Sequence, residues 1–321
     1  MSVIVSGSIA FDRIMDFPGK FSDHILPNKI HNLNVSFGLD KLSIEFGGTA
    51  GNIAYTLSLF GEKPSIVGSV GHDFAPYKKH LIKHHINLRD IRVIPKETCA
   101  TAHIITDQGD NQIAGFHFGA ISYPAVSAQI VTKQTKLGII AAGNLADMMK
   151  LSEQYRHNHV PFIVDPGQQL TWLTGAQLTY LLNGAHTLVV NDYELAVVQK
   201  KLMSVETRHG VSLQNKSSLQ NLTQLVVTKG EKGADWFVGG KRYVLPVAKP
   251  TRVLDPTGAG DAYRSGIILG ILRQWSPEQA GRVAALCATY AIEQYGTQNH
   301  TFTKTQFKKR YYKNFKHNII I

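Results

Sequence analysis

Asp255-Pro256-Thr257-Gly258-Ala259-Gly260-Asp261 concentrates more potential chemistry than any other stretch of this 321-residue chain. It follows the apolar pair Val253-Leu254, read as the end of a strand, and runs into Ile267-Ile268 and Ile271-Leu272, spaced as on a helix. The glycines therefore fall where a loop becomes a helix N-terminus. Such a turn exposes unpaired N–H groups and the positive end of the helix dipole, which together favour a phosphate or a developing anion. Asp261 does not fit that environment, because a carboxylate repels an anion. It fits as a base aimed at the hydroxyl that attacks the anion. An Asp-Pro turn ahead of a Gly-rich helix start with an acidic first-turn residue has the same composition, so the stretch alone leaves both readings open.

Other spacings are weaker on their own. Asn191-Asp192-Tyr193-Glu194 closes the apolar run Leu188–Val190, and Asn followed three residues later by Glu is the pattern of a helix capping box. Thr228-Lys229-Gly230-Glu231-Lys232-Gly233 ends another apolar run, where Lys-Gly is ordinary turn punctuation. In Gly47-Gly48-Thr49-Ala50-Gly51-Asn52, Gly48 permits a close backbone approach, and Asn52 reads either as a helix cap or as a donor and acceptor for a hydroxyl. Asp12, just past the first apolar run, could accept two hydroxyls at once. None of the fourteen histidines falls into a metal-type spacing, and His84-His85 reads as surface.

The elements that must position these residues alternate. Strands are expected at Val3–Val5, Ser65–Val67, Gly138–Ala142, Phe162–Val164, Thr187–Val190 and Leu225–Thr228, with helices at Asn52–Phe60 and about Pro76–His84. Short continuous β-branched runs ending in Gly, Asp or Asn suit a sheet covered on both faces, hence an α/β fold with a doubly wound, mostly parallel sheet and ligands at the carboxyl ends of its strands. Residues 11–44 and 98–118 break the pattern. Their polar alternation, and the turn Asp107-Gln108-Gly109-Asp110-Asn111, read as hairpin strands of a small second sheet. The expected division is a core of residues 1–10, 45–97 and 119–321 with an inserted β unit of residues 11–44 and 98–118.

A hydrophobic content of 43% supports one large core, and two cysteines, Cys99 and Cys287, are too few for a disulfide framework. A reducing cytoplasm is the expected setting, and the opening residues Met1–Ser8 read as a buried strand, neither a signal peptide nor a membrane span. The net charge of +11 would suit a polyanion. Much of the excess lies in Lys304–Lys316, however, where basic and aromatic residues interleave as in an amphipathic helix docking its rings on the core. Nucleic acid is therefore not the expected partner.

Asp-Pro-Thr-Gly-Ala-Gly-Asp at 255–261 resembles the signature of the ribokinase family, the PfkB-type carbohydrate and nucleoside kinases. Gly47–Ala54, followed by Gly61 and Gly71, resembles the family's N-terminal signature, in the right order. The resemblance implies a ribokinase-like fold in which the inserted sheet is a lid over the substrate. It implies that Asp261 is the catalytic base and that Gly258, Ala259 and Gly260 form the anion hole. Asp12, Gly48 and Asn52 would hold sugar hydroxyls. Asn191 with Glu194 resembles the Asn-x-x-Glu motif that places hydrated Mg²⁺, and Thr228 with Gly230 the turn that contacts the nucleotide, so ATP and Mg²⁺ are the implied cofactors, with a monovalent cation such as K⁺ left open.

Among relatives, the stretches His24–Pro27, Leu33–Phe37, Glu45–Gly48, Asp110–Ile113, Asp165–Gln168 and Tyr295–Gln298 look most like those of the bacterial and archaeal nucleoside kinases, over nearly the whole chain. That implies phosphorylation of a nucleoside, adenosine first, at its 5′-hydroxyl. Phe11, Phe37, Phe116 and Phe118 are lid-side candidates for a nucleobase slot, with hairpin packing as the alternative, and Gln168 for its polar edge. One departure is Arg264, where sugar kinases commonly carry an apolar residue; it could touch a phosphate, anchor the lid or pair with a surface acid. A kinase of free ribose or fructose, and a catalytically silent nucleoside sensor, are the alternatives. The expected assembly is a monomer or homodimer.

Overall fold

Short runs of aliphatic and β-branched residues build the larger of two sheets. The computed structural model describes residues 3–26, 31–32, 34–109, 111–208 and 222–321. Of the residues singled out in the sequence, Met1, Ser2, Pro27, Leu33 and Asp110 lie outside the described residues. The strands are β1 (Val3–Ser6), β2 (Ala10–Asp16), β3 (Lys41–Gly47), β4 (Ser65–Gly71), β5 (Asn87–Ile94), β6 (Ala100–Thr106), β7 (Gln112–His117), β8 (Leu137–Ala141), β9 (Phe162–Asp165), β10 (Thr187–Asn191), β11 (Gln224–Thr228), β12 (Ala234–Val238) and β13 (Lys241–Leu245). Nine of them form one sheet in the order β13-β12-β11-β10-β9-β8-β1-β4-β5, parallel except for the β11–β12–β13 edge. β1 pairs with both β4 and β8, so the chain leaves it in opposite directions. That reversal opens a crevice at the carboxyl ends of the strands.

Helices α1 (Thr49–Leu59), α2 (Ala75–Lys83), α3 (Leu145–His157), α4 (Gly175–Leu182), α5 (Asp192–Arg208), α6 (Ala259–Leu272), α7 (Pro277–Ile292) and α8 (Lys304–Phe315) cover both faces. Val3 and Val5 of β1 join one apolar cluster with residues of α1, α6, α7 and α8, whereas Ile4 joins a second with residues of α3, α4 and α5. The alternation is the period of two that a strand buried on both faces demands.

The second sheet has the order β3-β2-β6-β7, with β2 and β6 parallel and the outer pairs antiparallel. Ala10, where β2 begins, follows β1 by three residues, and β3 ends on Gly47 immediately before α1. The small sheet is therefore tethered to the core at the mouth of the crevice.

Two expectations need correction, and a third holds. Val253-Leu254 is not a strand: residues 251–256 are irregular, Val253 is exposed, and the N–H groups of Leu254 and Asp255 both donate to the Ile292 carbonyl at the end of α7. Flanking Pro250 and Pro256 also disfavour a ladder there. α1 begins at Thr49 and is capped by Gly48, so Asn52 is a first-turn residue and not a cap. The basic C-terminal stretch forms α8, started by a Thr303/Gln306 capping box, and it buries Phe307 and Tyr311, as the docking reading expected.

Candidate active site

Several segments far apart in the chain converge on one cavity of about 630 Å³ between the two sheets. Its floor is the start of α6: Thr257, Gly258, Gly260, Asp261 and Arg264. Its walls include Asp12 of β2, Gly48 and Asn52 at the start of α1, Asp165 at the end of β9, Gln168 and Trp172 beyond it, and Glu194 of α5. Ala102, Ile104, Ala114, Phe116 and Phe118 close the side facing the small sheet.

The turn into α6 has the predicted geometry. Asp255 Oδ1 accepts from Thr257 N–H at 2.9 Å, and Gly258 caps the helix in the left-handed region, φ 76°. A side chain at Gly258 would be strained by that dihedral and would meet Thr297 Cβ at 2.9 Å. A larger residue there would thus clash inside the protein as well as crowd any phosphate approaching the turn. The three-residue anion hole needs one adjustment: Ala259 N–H points back to the Pro256 carbonyl at 3.3 Å, while Gly258, Gly260 and Asp261 N–H have no hydrogen-bond partner among the described residues.

Asp261 lies in the first turn of α6, and among the described residues its carboxylate is held by one side chain, Asn52. Asn52 Nδ2 donates to its Oδ2 at 2.8 Å. The Asn52 amide is in turn fixed at Oδ1, which accepts from Gln298 Nε2 at 2.9 Å and lies 2.7 Å from Thr297 Oγ1. Burial pushes the Asp261 carboxyl up to about 6, opposed by the Arg264 guanidinium and the Asn52 hydrogen bond and reinforced by Asp165. Asp12 is pushed up to about 7 by burial and by Asp255, Asp261 and Glu45. Two carboxylates facing one cavity with raised affinity for protons are the electrostatics of an acid–base site.

The remaining predicted residues divide. Gln168 and Phe116 line the cavity with Asp12 and Gly48. Phe11 and Phe37 do not; Phe11 packs on Phe46 and Tyr77, and Phe37 on Phe17, Phe21 and His24, the hairpin packing that was the alternative. Asn191 and Glu194 form the capping box in full: Asn191 Oδ1 accepts from Glu194 N–H at 2.7 Å, and Glu194 Oε2 accepts from Asn191 N–H at 2.8 Å. Glu194 nonetheless lines the cavity, its proton affinity raised by burial. Asn191 pairs with Thr228 across β10–β11, so Thr228 and Gly230 stand outside the cavity, farther along the same strand ends. Gly230 faces open space, whereas the Lys229 ammonium is taken by Asp235.

Three partnerships were not read from the sequence. Arg264 is buried and pairs with Asp165, Nη2 donating to Oδ1 at 2.7 Å and Nε lying against Oδ2 as an ion pair without a hydrogen bond. Thr297 and Gln298 orient Asn52 from the opposite end of the chain. The signals were present: an arginine amid an apolar helix, and an aspartate ending the buried run Phe162–Val164.

The profile of the pfkB family of carbohydrate kinases matches residues 22–304. This chain belongs to that family. Among its pfkB-family relatives, the nucleoside kinase of Methanocaldococcus jannaschii is 28% identical over 276 residues, 83% of this chain and 85% of the relative. The structure of Burkholderia thailandensis nucleoside kinase in complex with inosine aligns with a TM-score of 0.86 at 33% identity, covering 99% of this chain and 100% of that one. The M. jannaschii enzyme, an archaeal member of the ribokinase family, aligns with a TM-score of 0.85 at 26% identity, covering 98% and 99%. As a pfkB-family protein the chain is an enzyme of the nucleoside and carbohydrate kinase class, with the ribokinase fold.

Proposed function

We propose that this kinase transfers the γ-phosphoryl group of ATP to the 5′-hydroxyl of a nucleoside, adenosine first among candidates. The observation that carries the reading is the near full-length likeness to B. thailandensis nucleoside kinase, whose structures hold inosine and ADP-inosine. The cavity supports it, with Asp12 and Asp261 on the polar side and Phe116, Phe118, Ala102, Ile104 and Ala114 forming an apolar wall suited to a planar base.

In this reading Asp12 accepts hydrogen bonds from ribose hydroxyls and Gly48 lets the sugar approach the backbone. Asp261 takes the proton of the 5′-hydroxyl as it attacks, and the N–H groups of Gly258, Gly260 and Asp261 receive the charge spread over the transferred phosphoryl. Asn52 acts mainly through Asp261, since Asp261, Thr297 and Gln298 already engage its amide. Gln168 and Phe116 contact the nucleoside. Asn191, Thr228 and Gly230 border the nucleotide along the ends of β10 and β11.

The donor set fits Mg²⁺ held chiefly by phosphates and water: among the carboxylates lining the cavity, Glu194 is the one borne on the Asn-x-x-Glu motif, and one of its oxygens already serves Asn191. When bound, the ion neutralises phosphate charge during transfer. The small sheet, residues 11–44 and 98–118, acts as the lid that excludes water from the transfer.

Incubation with adenosine and ATP, followed by phosphorus NMR of the product, tests the regiochemistry. Coupling of the new phosphorus to the two 5′-methylene protons is expected; a 2′- or 3′-phosphate contradicts the placement of Asp261.

A further inference from the structure

A cavity that takes in a polyphosphate is here lined by four acids, Asp12, Asp165, Glu194 and Asp261. Among the described residues, Arg264 is the one cationic side chain that lines it. The guanidinium has a fixed orientation. Its Nη2 donates to Asp165, itself almost fully buried, and Nε lies against the same carboxylate as an ion pair, whereas Nη1 has no acceptor among the described residues. Nη1 also lies against the turn that starts α6: a methyl group built on Gly260 would come within 2.7 Å of it. A guanidinium donor thus lies against Gly260, a residue whose own N–H is unpaired among the described residues, and the planar guanidinium suits arginine to hold a carboxylate on one side and a phosphoryl oxygen on another.

We propose that Arg264 is a catalytic residue whose Nη1 donates to an oxygen of the transferred phosphoryl group, with Asp165 as the positioning residue that aims it. In the step it assists, the bond from the acceptor oxygen to phosphorus forms, the bond from phosphorus to the ADP oxygen breaks, and the acceptor's proton passes to Asp261. Arg264 keeps its protons and stabilises the equatorial charge. The same charge opposes the burial that raises the Asp261 proton affinity. The inference rests on phosphoryl transfer and not on the identity of the acceptor.

The test compares wild type, Arg264→Lys, Arg264→Met and the double variant Asp165→Asn/Arg264→Met, each assayed with adenosine and, separately, with ribose. Results are read on whichever acceptor wild type turns over, so a failure of the nucleoside reading shows as a change of acceptor and leaves this test intact. Arg264→Met is expected to lose roughly 10²- to 10³-fold in kcat, the usual cost of one oxyanion donor, with acceptor KM changed less than about threefold. Removing both partners leaves no unpaired buried carboxylate, so the double variant should regain thermal stability but not turnover. Recovery of kcat to within about tenfold of wild type in the double variant would show that Arg264 only neutralises Asp165, and would overturn the proposal. If neither methionine variant folds, Arg264→Lys decides. It keeps the charge but not the forked donor, so a kcat loss beyond about tenfold supports the proposal and a smaller loss overturns it.

Discussion

Asp261 carries the account at the level of single residues, and its environment makes its ionisation measurable. Replacing it with Asn should lower turnover by roughly two to four orders of magnitude, the share of a general base, with nucleotide affinity little changed in a binding titration. Activity within a few-fold of wild type would remove it from the mechanism. The base must be ionised, and burial raises its proton affinity to about 6, so kcat/KM should fall as pH drops through that region. Asp12, raised to about 7, is itself acted on by Asp261, so the two titrate as a pair and the acid limb reports both. The same shifts act on stability with a definite sign. A carboxyl that binds its proton more tightly when folded costs stability as pH rises from the ordinary carboxylate range through its folded value. Asp261→Asn should therefore melt higher than wild type at pH 8, with the gap narrowing toward pH 5; an unchanged or lower Tm at pH 8 would contradict the burial argument.

At the scale of elements, six of the seven parallel strands described in the larger sheet were legible because they are buried on both faces; the parallel edge strand β5, partly exposed along its length, was not read. Runs such as Leu188–Val190 need no partner in view to be recognised. The edge hairpin β12–β13 was not read, since β12 buries a charged residue, Asp235, beside Trp236 and exposes Phe237, and its partner opens on exposed Lys241 and Arg242. Val253-Leu254 misled because two apolar residues before a glycine turn look the same whether they join a ladder or hang from the end of a helix. Site residues borne on local motifs, Gly258 to Asp261, could be placed from the chain alone. Those defined by distant partners, Asn52 with Gln298 and Arg264 with Asp165, could not, because their roles depend on contacts 246 and 99 residues apart. The helix α8 offers the test for this scale. Phe307 is fully buried against Phe60 and Phe302, with ring centroids 4.9 Å from each. Phe307→Ala should cost about 3–5 kcal/mol in urea unfolding, whereas Lys308→Ala on the exposed face should stay within about 0.5 kcal/mol. Equal effects would mean that the helix is not docked by its rings.

For the whole molecule, two sheets tethered at the mouth of one crevice make a cavity that is polar at its floor and apolar beneath the small sheet. No helix among the described residues is long and apolar enough to cross a membrane. The cavity's two characters are what separate a nucleoside from a free sugar, since both acceptors offer hydroxyls to Asp12 and only one brings a base to Phe116 and Phe118. The most direct measurement is therefore ADP release from ATP and Mg²⁺ with adenosine, inosine, guanosine, cytidine, ribose and fructose offered separately, using the Asp261→Asn protein as blank. The account predicts that kcat/KM for at least one nucleoside, adenosine foremost, exceeds that for ribose or fructose by roughly ten- to a hundredfold, matching the roughly 1.5–3 kcal/mol that burial of a Phe-sized apolar group contributes. Turnover of free sugars at equal or greater kcat/KM would contradict it.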